Sequence, residues 1–388
     1  MIEFVNGNRI TLLKTGAEYF PALIAECDAA QREIHLETYI LEADATGRSV
    51  AAALERAARR GVAVQVLVDG FGSSDLDPEL VKEMRGAGVR FLVYRPKISP
   101  LTLKRSRLRR MHRKIAVMDA RVAFVGGINV VDDVNEPGAT EPPRFDYAVR
   151  FEGPLVARIH AAVKRLWILV CATQLRRRWV EPGLATPAEF RGSQRAAFVI
   201  RDNIGHRREI EQAYVTAISQ ARREVLMSNA YFFPGRTFRR VLTDAAARGV
   251  RVILLLQGKS EYFLQHYASH ALYGPLLDAG LEIYDYQKSF LHAKVAVVDG
   301  HWATVGSSNI DPFSLLLARE ANVVIEDTGF ATELRASLFA ALSDGAVQMK
   351  RESWRARPWA SRTLMRVCYE LARIITGVFA YGRAEEFT

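Results

Sequence analysis

The stretch HRKIAVMDARVAFVGGIN, residues 112–129, returns as HAKVAVVDGHWATVGSSN at residues 292–309. In both copies a histidine precedes a lysine by two positions, an aspartate by seven, a glycine by fourteen and an asparagine by seventeen. The copies begin 180 residues apart, a spacing that suits one copy in each of two ordinary domains. The repeat therefore predicts two similar domains, each of which supplies the same set of side chains.

The repeat extends beyond the two motifs. Each motif supplies two predicted strands, and each follows a strand–helix–strand–helix–strand pattern in the same order. The strands are continuous apolar runs, which are typical of an α/β sheet that is buried on both faces. The predicted strands are residues 33–41, 62–69, 89–94, 114–119, 122–126, 224–232, 250–256, 281–286, 294–299 and 302–306, and the predicted helices are residues 48–60, 79–86, 237–248 and 264–279.

Two α/β halves packed face to face are the architecture that this order favours. We predict a first domain over residues 1–175 and a second over residues 197–348. Residues 176–196 are rich in proline, glycine and charge and are expected to form a linker, whereas residues 349–388 form a basic, amphipathic C-terminal extension. Residues 163–178 are predicted to be a buried helix that closes the first domain.

The composition limits the class of protein. The chain has 388 residues, 49% of them hydrophobic, as in a globular protein of two domains. The net charge of +10 favours polyanionic partners, which include nucleic acid, anionic lipid and phosphorylated substrates. Three widely spaced cysteines predict neither a disulfide framework nor a zinc site and suit a reducing cytosol. Neither a signal peptide nor a membrane-spanning helix is predicted.

The residue types of the motif suit phosphate chemistry. A lysine is a point charge for a phosphate oxygen, and asparagine and serine can donate hydrogen bonds to the same group. Histidine is both nucleophilic and protonatable near neutral pH. The motif aspartates could orient the imidazoles or cap turns, and the sequence leaves both roles open. The candidate residues are His112, Lys114, Asp119 and Asn129 in the first copy, and His292, Lys294, Asp299, Ser307 and Asn309 in the second.

Two imidazoles on opposite sides of a phosphorus atom suit a double displacement. One attacks and forms a phosphohistidine, while the other protonates the departing alcohol and then deprotonates the incoming one. The lysines and asparagines would stabilise the negative charge on the phosphorus oxygens. We therefore expect the reaction to need no metal and no cofactor.

The two motifs resemble the phospholipase D superfamily, whose pattern is His-x-Lys-x4-Asp-x6-Gly-Ser-x-Asn. The second copy fits fully, whereas the first has Gly127 in place of the serine. More narrowly, the chain resembles the bacterial cardiolipin synthases that lack N-terminal transmembrane helices. The resemblance is carried by residues 126–129, 145–154, 229–234 and 319–323. It implies two similar phospholipase D-like α/β sandwich domains in a pseudo-twofold arrangement, with the active site at their interface.

The same resemblance implies roles for individual residues. His112 matches the nucleophile and His292 the general acid/base, although the order could be reversed. Asp146 and Glu320 match acids that hold an imidazole, and the alternative is that they are ordinary acids at strand starts. The expected reaction forms cardiolipin from phosphatidylglycerol and a second phospholipid, such as phosphatidylethanolamine. A phospholipase D that hydrolyses phospholipids, a nuclease and an inactive scaffold remain alternatives.

Three segments bear on membrane binding. Residues 104–110 form a dense basic run that could bind lipid phosphates, bind nucleic acid or form a solvated loop, and apolar residues 98–103 precede it. Residues 364–381 have apolar side chains at helical spacing, interrupted by three charges, and could lie in a membrane interface or pack on the protein's own core. We expect a monomer on the cytoplasmic face of a bacterial membrane, bound to anionic phospholipid and not to nucleic acid.

Overall fold

The computed structural model describes residues 2–95, 109–132, 142–176, 179, 184, 186, 189–202, 205–259, 263–311 and 318–380. The chain divides into two compact units. Unit 1 contains Met1–Ile200, Val305–Ser307 and Arg319–Ile325. Unit 2 contains Arg201–Thr304, Ser308–Ala318 and Glu326–Thr388. Two short segments of the second half of the chain therefore belong to unit 1.

Unit 1 is built on a mixed sheet with helices on both faces. Strands β2, β3 and β4 lie side by side and parallel, in the order of the chain. On the other side of β2 the sheet continues through β6, β7, β8 and β1, each antiparallel to the strand before it. The elements are β1 (Val5–Lys14), α1 (Thr15–Ala29), β2 (Glu33–Thr38), α2 (Ala45–Arg59), β3 (Ala63–Asp69), α3 (Pro78–Gly86), β4 (Arg90–Tyr94), β5 (Arg110–Met111), β6 (Lys114–Met118), β7 (Val122–Gly126), β8 (Tyr147–Glu152), α4 (Val156–Thr173) and β9 (Gln194–Arg201).

The two faces of this sheet bury different helices. Leu36 and Val66 pack with Leu54 in the cluster formed with α1, α2 and α3. Leu67, on the other face of β3, packs with Trp167 of α4. Full burial of a large aliphatic side chain stabilises a fold by about 1.5–3 kcal/mol, so burial on both faces explains why the strands are apolar throughout. The predicted buried helix after Gly153-Pro154 is α4, although it ends at Thr173.

Unit 2 repeats the parallel part of this arrangement. Strands β11 and β12 lie parallel beside β10, and β13 pairs with β10 in the antiparallel direction, as β6 pairs with β2. β14 and β15 contribute residues to both units. The elements are α5 (Glu209–Gln220), β10 (Glu224–Asn229), α6 (Arg236–Ala247), β11 (Arg251–Gln257), α7 (Phe263–His270), α8 (Tyr273–Asp278), β12 (Glu282–Tyr286), β13 (Lys294–Val298), β14 (Trp302–Gly306), β15 (Ala318–Glu326), α9 (Thr328–Gly345), β16 (Ala346–Gln348), α10 (Arg351–Arg355) and α11 (Trp359–Ala380).

The predicted order of strands and helices is confirmed in both repeats, with one correction. Residues 264–279 were expected to form one helix, but the structure has two, α7 and α8. Pro275 has no N–H for the carbonyl of Ala271, and its ring would clash with that carbonyl, so the helix is interrupted there. Much of the predicted linker, residues 176–196, lies outside the described residues, and β9 begins within it at Gln194.

The C-terminal helix α11 packs against α7 of the same unit. Met365, Cys368 and Ala372 are buried, and the Tyr369 ring lies 5.2 Å from the ring of Phe233. Within the described ranges, no helix combines the length and the hydrophobicity that crossing a bilayer requires. Packing on the protein's own core, one of the two expectations for this segment, is therefore observed for one face of the helix.

Candidate active site

The motif aspartates bind backbone and not imidazole. The Asp119 carboxylate accepts the N–H groups of Gln31, Arg32 and Glu33 at 2.8, 2.8 and 2.9 Å. Asp299 accepts the three equivalent amides that end at Glu224, at 2.9, 2.8 and 2.9 Å. Both aspartates have a left-handed backbone, with φ of 52° and 53°. Each carboxylate thus ties the start of a parallel strand to the following turn.

Of the two roles that the sequence leaves open for the motif aspartates, this geometry favours the capping of a turn over the orientation of an imidazole. Asp119 lies at the far end of β6 from Lys114, five residues or roughly 16 Å away. Burial would raise the pKa of Asp299, but the three backbone hydrogen bonds outweigh it and hold that pKa below its ordinary value. The aspartates therefore act as turn-forming acceptors, which was the second of the two open roles.

The motif lysines are buried beside their histidines. Lys114 Nζ donates to the carbonyl of His112 at 2.6 Å, and Lys294 Nζ makes the same bond to the carbonyl of His292. Lys114 is 3% exposed and Lys294 is fully buried. Lys114 Nζ also lies 5.2 Å from the centre of the Tyr39 ring. In each copy the lysine side chain reaches back to the carbonyl of its own histidine, which holds the ammonium group near that residue.

Glu320 supports His112 within unit 1. His112 Nδ1 lies 3.0 Å from Glu320 Oε1 and 3.1 Å from Oε2, and the Glu320 carboxylate is fully buried. The backbone N–H of His112 also donates to the carbonyl of Arg319 at 2.9 Å. Because Nδ1 is held by the carboxylate, the other ring nitrogen carries the lone pair that can attack a phosphorus atom. The resemblance implies only that Glu320 holds an imidazole, and the structure identifies that imidazole as the one of His112.

Ser307, which is predicted to bind phosphate, contacts the acid that holds His112. Its hydroxyl donates to Glu320 Oε2 at 2.5 Å and accepts the N–H of Ala321 at 3.1 Å. Ser307 is fully buried and belongs to unit 1 together with Glu320. Its only hydroxyl proton is therefore used to fix the acid that holds His112.

The same position explains the inequality of the two motifs. Gly127 stands where Ser307 stands in the second copy, and a Cβ at Gly127 would lie 2.4 Å from Asp146 Oδ1. Asp146 is 2% exposed, and its carboxylate accepts the N–H of Tyr147 at 2.8 Å. In the second copy Ser307 donates a hydrogen bond to Glu320, whereas in the first copy Gly127, which has no side chain, leaves room for Asp146.

Each motif asparagine is buried three residues after a motif strand, Asn129 after β7 and Asn309 after β14. Asn129 and Asn309 are each 4% exposed. Asn129 Oδ1 accepts the N–H of Ile40 at 3.3 Å, which leaves its amide hydrogens for another acceptor. Asn309 Oδ1 has no hydrogen-bond partner among the described residues. These side chains are therefore available to a polar ligand.

The structure adds two residues to the site. Asn229 ends β10 directly beside Lys294, is 1% exposed, and its Nδ2 has no partner in the described part of the chain. A polar residue that closes a buried apolar strand was the signal for it in the sequence. Tyr39 is half-buried with its ring 4.7 Å from that of His112. It therefore lies beside the candidate nucleophile.

The site residues fall into two sets. Unit 1 contains His112, Lys114, Asn129, Asp146, Ser307 and Glu320, and unit 2 contains His292, Lys294 and Asn309 together with the added residue Asn229. Residues 98–103 and most of the basic run at 104–110 lie outside the described residues. Of that run, the Arg110 guanidinium lies 4.8 Å from the centre of the Phe71 ring.

Comparison with known proteins identifies the family. A family model described as "Cardiolipin synthase, PLD-like domain" matches residues 23–135 and 214–341, one segment for each repeat. The chain belongs to the cardiolipin synthase family of phospholipase D-like proteins. Cardiolipin synthase B of Escherichia coli is 41% identical over 367 residues, which cover 95% of this chain and 88% of that protein. Cardiolipin synthase A of Proteus mirabilis is 32% identical and covers 95% of this chain and 76% of its own length.

Solved structures share the fold. Phosphatidylserine synthase from Haemophilus influenzae superposes with a TM-score of 0.71 at 12% identity and covers 97% of both chains. Polyphosphate kinase from Porphyromonas gingivalis superposes with a TM-score of 0.59 at 17% identity, over 96% of this chain and 53% of that one. At these identities the likeness concerns the fold alone and agrees with the mixed α/β architecture, whereas the two phospholipase D-like repeats are shown by the family model.

Proposed function

We propose that the protein is a phosphatidyltransferase that forms cardiolipin from phosphatidylglycerol and a second phospholipid. The observation that carries the proposal is the contact of His112 Nδ1 with the buried carboxylate of Glu320. An anionic partner on Nδ1 stabilises the positive charge that an imidazole acquires when its other nitrogen bonds to phosphorus. The similarity to cardiolipin synthases of Escherichia coli and Proteus mirabilis supports lipid phosphate as the substrate.

The reaction would proceed in two displacements. His112 Nε2 attacks the phosphorus of the first phospholipid, the P–N bond forms, and the bond to the headgroup oxygen breaks as His292 protonates that oxygen. The primary hydroxyl of a phosphatidylglycerol headgroup then attacks phosphorus, gives its proton to His292, and displaces His112.

The other residues of the site would hold the phosphorus oxygens. Lys114 and Lys294 supply two positive charges, and Asn129, Asn229 and Asn309 supply amide hydrogens. Such donors act on charge that develops in the transition state, and loss of one lowers kcat by about 10²–10³-fold in well-studied cases. The lysines are buried, so their interaction with the developing charge is weakly screened by solvent.

The test is a product assay on phosphatidylglycerol vesicles, with and without phosphatidylethanolamine. We expect cardiolipin as the main product, together with glycerol or ethanolamine. His112→Ala and His292→Ala should each abolish turnover in folded protein. Phosphatidic acid as the main product would show a hydrolase instead, and nicking of plasmid DNA that is lost in His112→Ala would show a nuclease.

We further propose that α11 attaches the protein to the cytoplasmic face of a bacterial membrane. Beside its buried stripe, α11 carries Leu364, Val367, Leu371 and Ile374 with 39–59% of their surface exposed. A contiguous exposed apolar stripe is unusual in a soluble monomer, and flanking arginines attract anionic lipid by about 1 kcal/mol each. We therefore expect the protein to bind anionic vesicles, and to do so as a monomer.

Vesicle sedimentation tests this attachment. The double variant Val367→Asp and Leu371→Asp should lose binding to phosphatidylglycerol vesicles and retain turnover of detergent-dispersed substrate. Leu175→Asp, at an 84% exposed position in unit 1, is the matched control and should bind as the unaltered protein does. Equal binding of the α11 variant would contradict the proposal for this helix and leave the proposed chemistry intact.

A further inference from the structure

A second polar cluster is buried beneath α4, away from His112. Glu33 and His35 on β2 and His160 on α4 are each at most 3% exposed. His160 Nε2 lies 2.6 Å from Glu33 Oε1, and His35 Nε2 lies 3.5 Å from Glu33 Oε2. One potential metal-binding atom from each residue lies within 4.8 Å of those of the other two. The strand separates this cluster from the site, because six residues from Glu33 to Tyr39 span roughly 20 Å.

The hydrogen bonding of the cluster is incomplete. Glu33 Oε1, His35 Nε2 and His160 Nε2 lie at ion-pair distances from one another or from the same carboxylate, but these contacts do not meet full hydrogen-bond geometry among the described residues. Gln65, which lies opposite His35 in the register of β2 and β3, likewise leaves both polar side-chain atoms without a partner in that part of the chain. Buried polar groups are normally satisfied, so this concentration of unsatisfied atoms indicates that a ligand completes the cluster.

In the second repeat the equivalent glutamate has both carboxylate oxygens hydrogen-bonded. Glu224 begins β10 as Glu33 begins β2, and Arg335 of α9 binds its two oxygens at 2.7 and 3.1 Å. In unit 1 the corresponding helix, α4, supplies an imidazole where α9 supplies a guanidinium.

We propose that Glu33, His35 and His160 bind one Zn²⁺ ion that fastens α4 to β2. Zinc takes imidazole nitrogen and carboxylate oxygen at about 2.0–2.2 Å in a tetrahedron, which places ligand atoms roughly 3.3 Å apart. The observed separations, from 2.6 Å to at most 4.8 Å, reach that geometry with side-chain shifts of about 1 Å. A water molecule held by Gln65 would take the fourth position.

Lys164 provides a discriminating feature. It lies one helical turn after His160, and its Nζ is 3.8 Å from Glu33 Oε2. Its ammonium group repels a divalent cation and neutralises Glu33 in the metal-free protein. Removal of this charge must therefore tighten zinc binding, whereas in a cluster that is only an ion-pair network the same change would weaken the fold and create no affinity for metal.

The experiment measures zinc directly. Tag-free protein is stripped with a chelator and titrated with Zn²⁺ and Co²⁺, with bound metal measured by mass spectrometry, geometry by the visible absorption of Co²⁺, and stability by Tm. We expect one ion per chain, tetrahedral Co²⁺ bands and a higher Tm with metal. His35→Gln and His160→Gln should lose the ion, Lys164→Gln should bind it several-fold more tightly, and His206→Gln, a partly exposed histidine elsewhere, should match the unaltered protein.

Two results would overturn the proposal. One is a stripped, folded, unaltered protein that takes up no stoichiometric zinc and whose Tm does not respond to it. The other is His160→Gln protein that retains as much zinc as the unaltered chain. Titration of the unaltered protein decides the matter even where a histidine variant fails to fold, and none of these readouts depends on the proposed lipid chemistry.

Discussion

Substitution of Glu320 by glutamine isolates the charge that supports His112. The side chain is fully buried, lies 3.0 Å from His112 Nδ1 and accepts a 2.5 Å hydrogen bond from Ser307. Glutamine keeps the volume and one acceptor but removes the negative charge. A hydrogen bond to a charged group contributes about 1.5–3 kcal/mol, which corresponds to a loss of about 10- to 150-fold in kcat.

The loss should appear in kcat and not in KM, because the imidazole becomes positive only as it bonds to phosphorus. Cardiolipin formation on mixed vesicles is the assay, with Tm recorded to confirm folding. Glu152→Gln is the control, since Glu152 is a partly buried acid of unit 1 that pairs with Arg9. A kcat for Glu320→Gln within about twofold of the unaltered enzyme, in folded protein, would refute the assignment of His112 as a nucleophile held by this carboxylate.

Three further outcomes follow from the site. Asp299→Asn should lower stability by about 1–3 kcal/mol, measured by denaturant unfolding. Because the pKa of Asp299 is depressed, its contribution to the free energy of unfolding is complete above about pH 4 and is lost as the pH falls further. The stability of the variant should therefore differ least from that of the unaltered protein in acid. A loss of kcat at unchanged stability would instead show a catalytic role for Asp299. Gly127→Val should displace Asp146 and lower both Tm and kcat, whereas Gly86→Ala, with open space around it, should change neither; an unaffected Gly127→Val enzyme would contradict the contact. Tyr39→Leu should lower turnover on vesicles with little change in Tm, since the ring packs on His112 and beside Lys114. A large fall in Tm with full activity would show that Tyr39 only stabilises the fold.

Much of the fold was predictable because its signals are local. Apolar runs and glycine stops within β2, α2 and β3 set strand and helix boundaries to within a few residues. The repeat then doubled the information, since each half predicts the other. The error at α7 and α8 was also local in origin, because Pro275 carried the signal that interrupts the helix.

The sequence predicts the members of the site and leaves their roles open. The spacing of the motif by itself singled out both histidines, both lysines and both asparagines. It could not separate an aspartate that orients an imidazole from one that binds three backbone amides, because residues 31–33 are distant in sequence from Asp119. It likewise gave no account of Gly127, whose reason is the space taken by Asp146.

Periodicity and spacing are properties of the chain, and they are enough to show a duplicated α/β protein with paired histidines and lysines. The group that each of these side chains contacts becomes known only from the folded units. The contacts of Glu320 with His112 and of His160 with Glu33 join residues 208 and 127 positions apart. Such pairings depend on strand register and helix placement, which arise from packing over the whole unit and not from any local pattern.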